Sequence, residues 1–283
     1  MKSDIYRYIA GCKTCAQHKV EQKPPAGLMG NRANPSAPWE IISLDFIGPF
    51  PRSSQGYTYA LVVTDHFTKF VLIFPMRTAT AKTLTRYLEE QVFLVYGTPR
   101  TIVCDNGAQM NGTLFRKLCA KYQVTIHFTP RYYSRANPTE RITAIGVHDL
   151  AAIGCAIRSA CHETTDYSPY FANFGREYVA LGSEHQHPLT PTDIRLEDEI
   201  ARRKLGFQKL YRDISEKLQI ATERNRQVYD LRRRPVEYQP GQQVWRKDKS
   251  LSDKSAHYVA KLGPKYVGPL TDLKPVKEPH DPG

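Results

Sequence analysis

The sequence predicts an α/β layer fold built on a mixed sheet and followed by helices. Three observations point to it. Between residues 39 and 129, short β-branched and aromatic runs alternate with runs of helical period, in the order β-β-β-α-β-α-β. The second and third of these runs are close enough to form an antiparallel pair. Beyond a polar loop with two prolines at 130–138, the pattern turns helical from Asn137 onward.

The first strand is Ile41-Ile42-Ser43-Leu44-Asp45-Phe46-Ile47, stopped by Gly48-Pro49. Tyr57 to Thr64 and Phe70 to Phe74 are two more. Leu84, Leu88, Val92 and Val95 recur at helical spacing up to Gly97. Thr101 to Cys104 is a short buried strand, Leu114 to Tyr122 a helix, and Val124 to Phe128 a strand. Leu150, Ile153, Ile157 and Ala160 form the apolar stripe of a further helix, broken at Tyr167-Ser168-Pro169. After a polar linker at 183–192, Leu196, Ile200, Leu205, Leu210, Ile214, Leu218 and Ala221 mark a long amphipathic helix that ends in Arg232-Arg233-Arg234-Pro235. Short β runs with Gly/Pro turns then predict a small β module from residue 236 to the end. At the other end, Ile5, Tyr8 and Ile9 predict a short helix running into Cys12-Lys13-Thr14-Cys15. A basic, Pro-rich connector follows.

Forty Lys and Arg stand against 28 Asp and Glu, a formal net charge of +12. A basic chain of this kind suits a polyanion, and nucleic acid is the commonest one. No stretch approaches the ~20 apolar residues of a membrane helix, and Met1 to Tyr6 has no signal-peptide core. No membrane partner and an intracellular location are therefore expected. Cys104, Cys119, Cys155 and Cys161 fall in apolar runs and are expected to be reduced core residues.

Three carboxylates stand out. Asp45 lies inside an apolar strand, where Asp is depleted. Asp105 directly follows a buried strand and precedes Asn106-Gly107, a turn signal. Glu140 follows Asn137-Pro138, a plausible helix cap with Pro in the first turn. Three acids at element ends can converge on one sheet edge, where mutual repulsion calls for divalent cations; hard oxygen ligands suit Mg²⁺. The plainer reading, that each acid is a cap or turn residue, is strongest for Asp105, and spacing alone does not decide between them.

The motifs in order are Trp39-Glu40-Ile41-Ile42-Ser43-Leu44-Asp45-Phe46-Ile47-Gly48-Pro49, Thr64-Asp65, Lys69-Phe70, Cys104-Asp105-Asn106-Gly107 and Asn137-Pro138-Thr139-Glu140-Arg141. Ser168-Pro169-Tyr170-Phe171 and Asn173-Phe174-Gly175-Arg176 come later. With 34 residues between Asp105 and Glu140, this set resembles the integrase of gypsy-type LTR retrotransposons, over most of residues 1–270. The resemblance implies an RNase H-like mixed sheet with flanking helices, plus a long helix and a small, incomplete C-terminal β-barrel module. It divides the chain into a remnant of a zinc-binding domain and linker (1–35), a catalytic core (36–182), a linker with the long helix (183–235) and a DNA-binding module (236–283). It implies a polynucleotidyl transferase that processes DNA 3′ ends and transfers strands. Asp45, Asp105 and Glu140 would be the catalytic carboxylates holding Mg²⁺ (or Mn²⁺). DNA is the implied partner, with a homo-oligomeric state and a nuclear location. Asp65 is near the site in family terms and is expected to be structural.

The resemblance also implies roles for other residues. Cys12 and Cys15 match the cysteine half of a structural zinc site, whose two His would lie upstream; Zn²⁺ is expected only if those ligands are supplied, and two reduced exposed thiols are the alternative. Arg131, Tyr132 and Arg135 lie in a loop that touches DNA in the family, or else in solvent. Arg232, Arg233, Arg234, Lys261 and Lys265 are further DNA-contact candidates, while Trp245 and Tyr266 are expected in a barrel core. The chain departs from the family after Glu140: about four turns of helix, roughly 15 residues, are missing before Leu150. This departure predicts a break near Gly146, a displaced Glu140 and crippled catalysis. The chain then reads as a truncated, internally deleted copy. A catalytically dead module that binds DNA or self-associates, and more distantly an RNase H-type nuclease, stay open beside the integrase.

Overall fold

A computed structural model of the chain describes residues 2–19, 23–30, 34–129, 149–181, 196–239, 241–248 and 263–271. In chain order the elements are helices α1 (Lys2–Gly11) and α2 (Lys13–His18) and strands β1 (Ile41–Ile47), β2 (Tyr59–Asp65) and β3 (Val71–Met76). Helix α3 (Ala81–Tyr87) continues through a π-helical segment, Leu88–Phe93, into a last turn, α4 (Leu94–Tyr96). Then come β4 (Thr101–Cys104), α5 (Ala108–Asn111), α6 (Thr113–Lys121), β5 (Thr125–Phe128), α7 (Leu150–Ser159), α8 (Pro169–Phe174), α9 (Leu196–Asp230), β6 (Val244–Lys247) and β7 (Tyr266–Leu270). The chain divides into two compact units, residues 32–224 and residues 1–31 with 225–283.

The larger unit is built on a five-stranded sheet of order β3-β2-β1-β4-β5. The first three strands are antiparallel, and β1, β4 and β5 are parallel. This is the mixed sheet with flanking helices that the sequence predicts. Side chains alternate across it. Ile42 and Leu44 of β1, Leu61 and Val63 of β2 and Ile102 and Cys104 of β4 enter one core with Leu84, Leu88, Val92, Phe115 and Leu118. On the other face Ile47, Ala60, Val62 and Val71 pack with Leu150, Ile153 and Ile157 of α7. A third cluster joins Phe67 and Ala172 to Leu210, Ile214 and Leu218 of α9.

Several stripe residues fall outside the core that helical spacing predicts for them, among them Ile5, Tyr8, Val95, Ala160 and Leu205. The π-helical segment widens one turn, so Val92 and Phe93 both point inward while Val95 is 61% exposed. In α9 the buried face is set by Phe207, Leu210, Ile214 and Leu218, and Leu205, on the opposite side of the helix from Phe207, is 67% exposed. Cys104 and Cys119 are buried as expected, but Cys161 is exposed, because it lies just past the end of α7 and not within it.

Asp65 is fully buried at the end of β2 and organises the β2–β3 turn. Its Oδ1 accepts from the backbone N–H of Trp39 at 3.0 Å and of Phe67 at 3.3 Å. Its Oδ2 accepts from Thr68 N–H at 2.9 Å and Thr68 Oγ1 at 2.6 Å. Burial pushes the carboxyl above its usual range, and the four donors offset only part of that rise. Lys69 beside it is half-buried, donates to His66 O at 2.8 Å, and is lowered by burial. Asp65 is thus a structural residue.

In the smaller unit, α2 packs on the β6–β7 pair, and Lys265 N–H donates to Gln17 O at 2.8 Å. The Pro-rich connector does not run free: Ala26 bridges to Arg234, Arg234 N–H donates to Pro25 O at 3.1 Å, and Asp230 Oδ1 accepts from Met29 N–H at 2.8 Å. The β module appears among the described residues as this two-stranded pair, with Trp245 and Tyr266 half-buried. Residues 249–262 and 272–283 lie outside the described residues. Among the described residues no helix is long and apolar enough to cross a membrane.

Replacing Asp65 by Ala strands three buried backbone donors at once. Each unsatisfied donor costs about 1–3 kcal/mol, so Asp65→Ala is expected to lose on the order of 3 kcal/mol or more. Urea unfolding checks this; a midpoint unchanged from the parent would rule out the structural role.

Candidate active site

Strand register brings Asp105 toward Asp45. β1 and β4 run parallel with Ile41 opposite Thr101, Ile42 opposite Ile102 and Ser43 opposite Val103. Asp45 follows Ser43, and Asp105 follows Val103, by two residues each, so this register leads the loop after β4 out beside β1 near Asp45. Asp45 alternates with Leu44 and Phe46, which serve the first core, and shares its side with Ile47, on the sheet face that carries α7. Asp105 lies in the loop at the C-terminal end of β4.

Asp45 is held in the ladder opposite Val62 of β2 and is half-buried. Asp105 is exposed in the loop after β4, and its Oδ1 accepts from Gly107 N–H at 2.9 Å. The turn reading of Asp105 thus holds, in a loop that runs out near Asp45. A Cβ on Gly107 would lie 2.9 Å from Asp105 Oδ1 and 3.1 Å from Gln109 Oε1, so a larger residue there would push the carboxylate aside. The loop is tied to the end of β5: Asn106 Nδ2 donates to Thr129 O at 3.3 Å, and Thr129 N–H donates to Cys104 O at 2.8 Å. Sequence reasoning missed this tie, since neither Asn106 nor Thr129 has a signal beyond turn propensity.

Glu140, Arg131, Tyr132, Arg135, Gly146 and Lys261 lie outside the described residues. Among the described residues no three His, Cys, Asp or Glu side chains gather into a metal-binding group. Asp45 and Asp105 nonetheless suit Mg²⁺, which is commonly held by one or two protein carboxylates together with substrate phosphates.

Elsewhere the predicted site residues divide. Arg233 stacks over the Tyr229 ring at 4.4 Å, and Arg234 Nε donates to Pro24 O at 3.2 Å, so part of the arginine run serves the smaller unit's own packing. Arg232 and Lys265 are exposed. Cys12 caps α2 and Cys15 lies in its first turn, both half-exposed. Hydrogen bonds from Cys15 and Thr14 lower the Cys12 thiol, while the bond to Cys12 raises Cys15. Two thiols are half of a closed zinc tetrahedron, and the described residues do not supply the other half.

Residues 35–134 match the family model described as "Integrase core domain". The chain is 24% identical over 293 residues to the Transposon Tf2-3 polyprotein of Schizosaccharomyces pombe, covering 97% of this chain and 21% of that protein. The Tf2-4 polyprotein of the same yeast gives the same figures. The chain thus spans about a fifth of the length of the curated relatives it matches. Among solved structures, a simian T-cell lymphotropic virus intasome in complex with PP2A regulatory subunit B56 gamma aligns at 17% identity and a TM-score of 0.36, over 63% of this chain and 56% of that one. The HTLV-2 integrase catalytic core domain in complex with magnesium aligns at 16% identity and 0.36, over 47% of this chain and 95% of that one. Residues 35–134 are thus similar to an integrase core domain, and nearly the whole chain to a segment of these retrotransposon polyproteins.

The thiols give a direct check on the environment. Burial pushes Cys104 up to about 12 and Cys119 up to about 11. At pH 8 their reactive thiolate fractions are then on the order of 10⁻⁴ and 10⁻³. Iodoacetamide at pH 8 is expected to label Cys12 first, to label exposed Cys161 as well, and to spare Cys104 and Cys119 until the chain is unfolded. Peptide mapping of the alkylated sites reads this order.

Proposed function

We propose that the chain is the core of a polynucleotidyl transferase that integrates DNA, by 3′-end processing followed by strand transfer. The observation that supports this is the parallel pairing of β1 with β4, which carries Asp45 on β1 and leads directly into the loop that holds Asp105. Two carboxylates brought close together repel, and a divalent cation relieves that repulsion. Held by these oxygens, Mg²⁺ (or Mn²⁺) would neutralise charge on a phosphodiester and activate an oxygen nucleophile.

The chain's own contribution is positioning. Asp45 is fixed in the ladder with β2, and Asp105 by Gly107 N–H and by the tie to Thr129. Asp105 is exposed, so a duplex can approach it. Hydrolysis of one phosphodiester would free a 3′-hydroxyl. That hydroxyl would then displace the 3′ oxygen of a target phosphodiester in line, with no bond to the protein. Glu140 is the third carboxylate by resemblance. DNA contacts by Arg131, Tyr132, Arg135, Arg232, Lys261 and Lys265, together with self-association and a nuclear location, belong to the same reading through the resemblance and the net charge of +12.

A strand-transfer and disintegration assay in Mn²⁺ and in Mg²⁺ tests the proposal. Asp105→Asn is expected to fall to background. Gly107→Ala is expected to lose on the order of 10²-fold, since a misplacement of about 1 Å costs that much, with unfolding unchanged. Glu140→Gln reports whether the third carboxylate takes part. An Asp105→Asn chain as active as the parent would sink the assignment. An inactive parent that still binds duplex would leave a DNA-binding module in place of an enzyme.

A further inference from the structure

Arg52, in the loop between β1 and β2, and Arg77, just past the end of β3, are two arginines that the acid site does not use. A Cβ placed on Gly56 would lie 3.5 Å from Arg52 Nη2, 3.6 Å from Arg52 Nε and 3.7 Å from Arg77 Nε. The two guanidinium groups therefore converge on one point, with these nitrogens no more than about 7 Å apart. Both side chains are exposed, and among the described residues neither makes an ion pair with a carboxylate. Like charges that converge without an acidic partner are unfavourable unless an anion joins them.

The convergence is built into the loop. Ser53 N–H donates to Tyr57 O at 3.0 Å, Tyr57 N–H to Ser53 Oγ at 3.0 Å and Gly56 N–H to Ser53 O at 2.9 Å. Gly56 has φ +84°, a conformation that L side chains rarely adopt. Arg77 Nε donates to Gln55 O at 3.2 Å, its guanidinium lies 5.9 Å from the Tyr57 ring centroid, and its carbonyl accepts from Thr58 Oγ1 at 2.9 Å. Arg77 is thus held in place before any ligand arrives. Beside the pair lies a hollow of about 250 Å³ lined by Ser53, Gln55, Tyr57, Ile73, Pro75 and Leu150 among others.

We infer that Arg52 and Arg77 form a clamp for one backbone phosphate of a DNA strand. Guanidinium forks take phosphate oxygens at about 2.8 Å, and a phosphate between two of them fits the gap. The position suits a strand that also reaches the acids. Ile47 pairs with Ala60 and Tyr59 with Met76, so the loop lies at the C-terminal end of β1, the edge where Asp105 follows β4. Two strand spacings across and about four residues along put the clamp on the order of 15 Å from Asp45. At about 3.4 Å rise per nucleotide, that is roughly four or five nucleotides along one strand. The clamp would fix the register of the duplex relative to Asp45 and Asp105.

The DNA identity of the ligand rests on the polynucleotidyl-transferase reading, so the test separates the two. Binding of the full chain to a labelled duplex is followed by fluorescence anisotropy across a salt series. An Arg52→Gln/Arg77→Gln variant is compared with Lys82→Gln/Arg86→Gln, which removes the same charge from exposed positions of α3, on the other sheet face. Loss of one phosphate contact lowers the slope of log affinity against log salt by about 0.9. The clamp variant is expected to show that drop and several-fold weaker binding, and the α3 variant to stay near the parent slope. Equal slopes in the parent and the clamp variant, or equal drops in both variants, overturn the clamp. If the parent does not bind duplex, the DNA reading fails. Thermal unfolding with pyrophosphate against chloride of matched ionic strength then decides the clamp alone. Stabilisation lost in Arg52→Gln/Arg77→Gln keeps it as a phosphate site, and no specific stabilisation removes it.

Discussion

The parallel pairing of β1 with β4 is the constraint on which the candidate site depends. Asp45 and Asp105 are sixty positions apart in the chain, and only the alignment of Ile41 with Thr101 brings them near each other. A slip of one residue would turn the side chains of β4 toward the opposite face and shift the loop that holds Asp105 along β1. That register is fixed because both strands are buried on the first core side: Ile42, Leu44, Ile102 and Cys104 must all enter it together. The burial of apolar side chains on one face thus specifies the register that leads Asp105 toward Asp45.

A second polar feature secures the opposite end of the sheet. Asp65 is buried where water cannot reach it, a costly position that is tolerated because four donors converge on it. It joins the start of β1, through Trp39 N–H, to the turn that leads into β3. The three motif aspartates therefore have different physical standing. Asp45 and Asp105 stay accessible enough to meet a ligand, and Asp65 is satisfied internally. Of the three, one carboxylate is consumed by structure and two are left able to meet a ligand.

The smaller unit follows a different logic. Its α-helical start, the Pro-rich connector, the end of α9 and the β6–β7 pair are short pieces with little apolar surface each. Backbone bonds such as Lys265 N–H to Gln17 O and Arg234 N–H to Pro25 O hold them. Part of the arginine run is spent on that cohesion, so charge density in a sequence overstates the charge available to DNA. In the larger unit the reverse holds: Arg52 and Arg77, twenty-five positions apart and unremarkable in sequence, converge on one glycine.

The sequence by itself determined the sheet. Alternation and β-branched content placed the strands, and helical spacing placed α3, α6, α7 and α9, since both periods record which face is buried. It also singled out Asp45, because a carboxylate inside an apolar strand is locally unfavourable and calls for a reason. Tertiary structure decided what periodicity cannot carry. The π-helical turn exchanges Val95 for Phe93 in the core. The exposure of Leu205 follows from which side of α9 meets Phe67. The approach of Asp105 toward Asp45, and of Arg52 toward Arg77, depends on strand register and loop closure. These are long-range contacts, and a local pattern of side chains has no way to encode the distance between two residues that only the fold brings together.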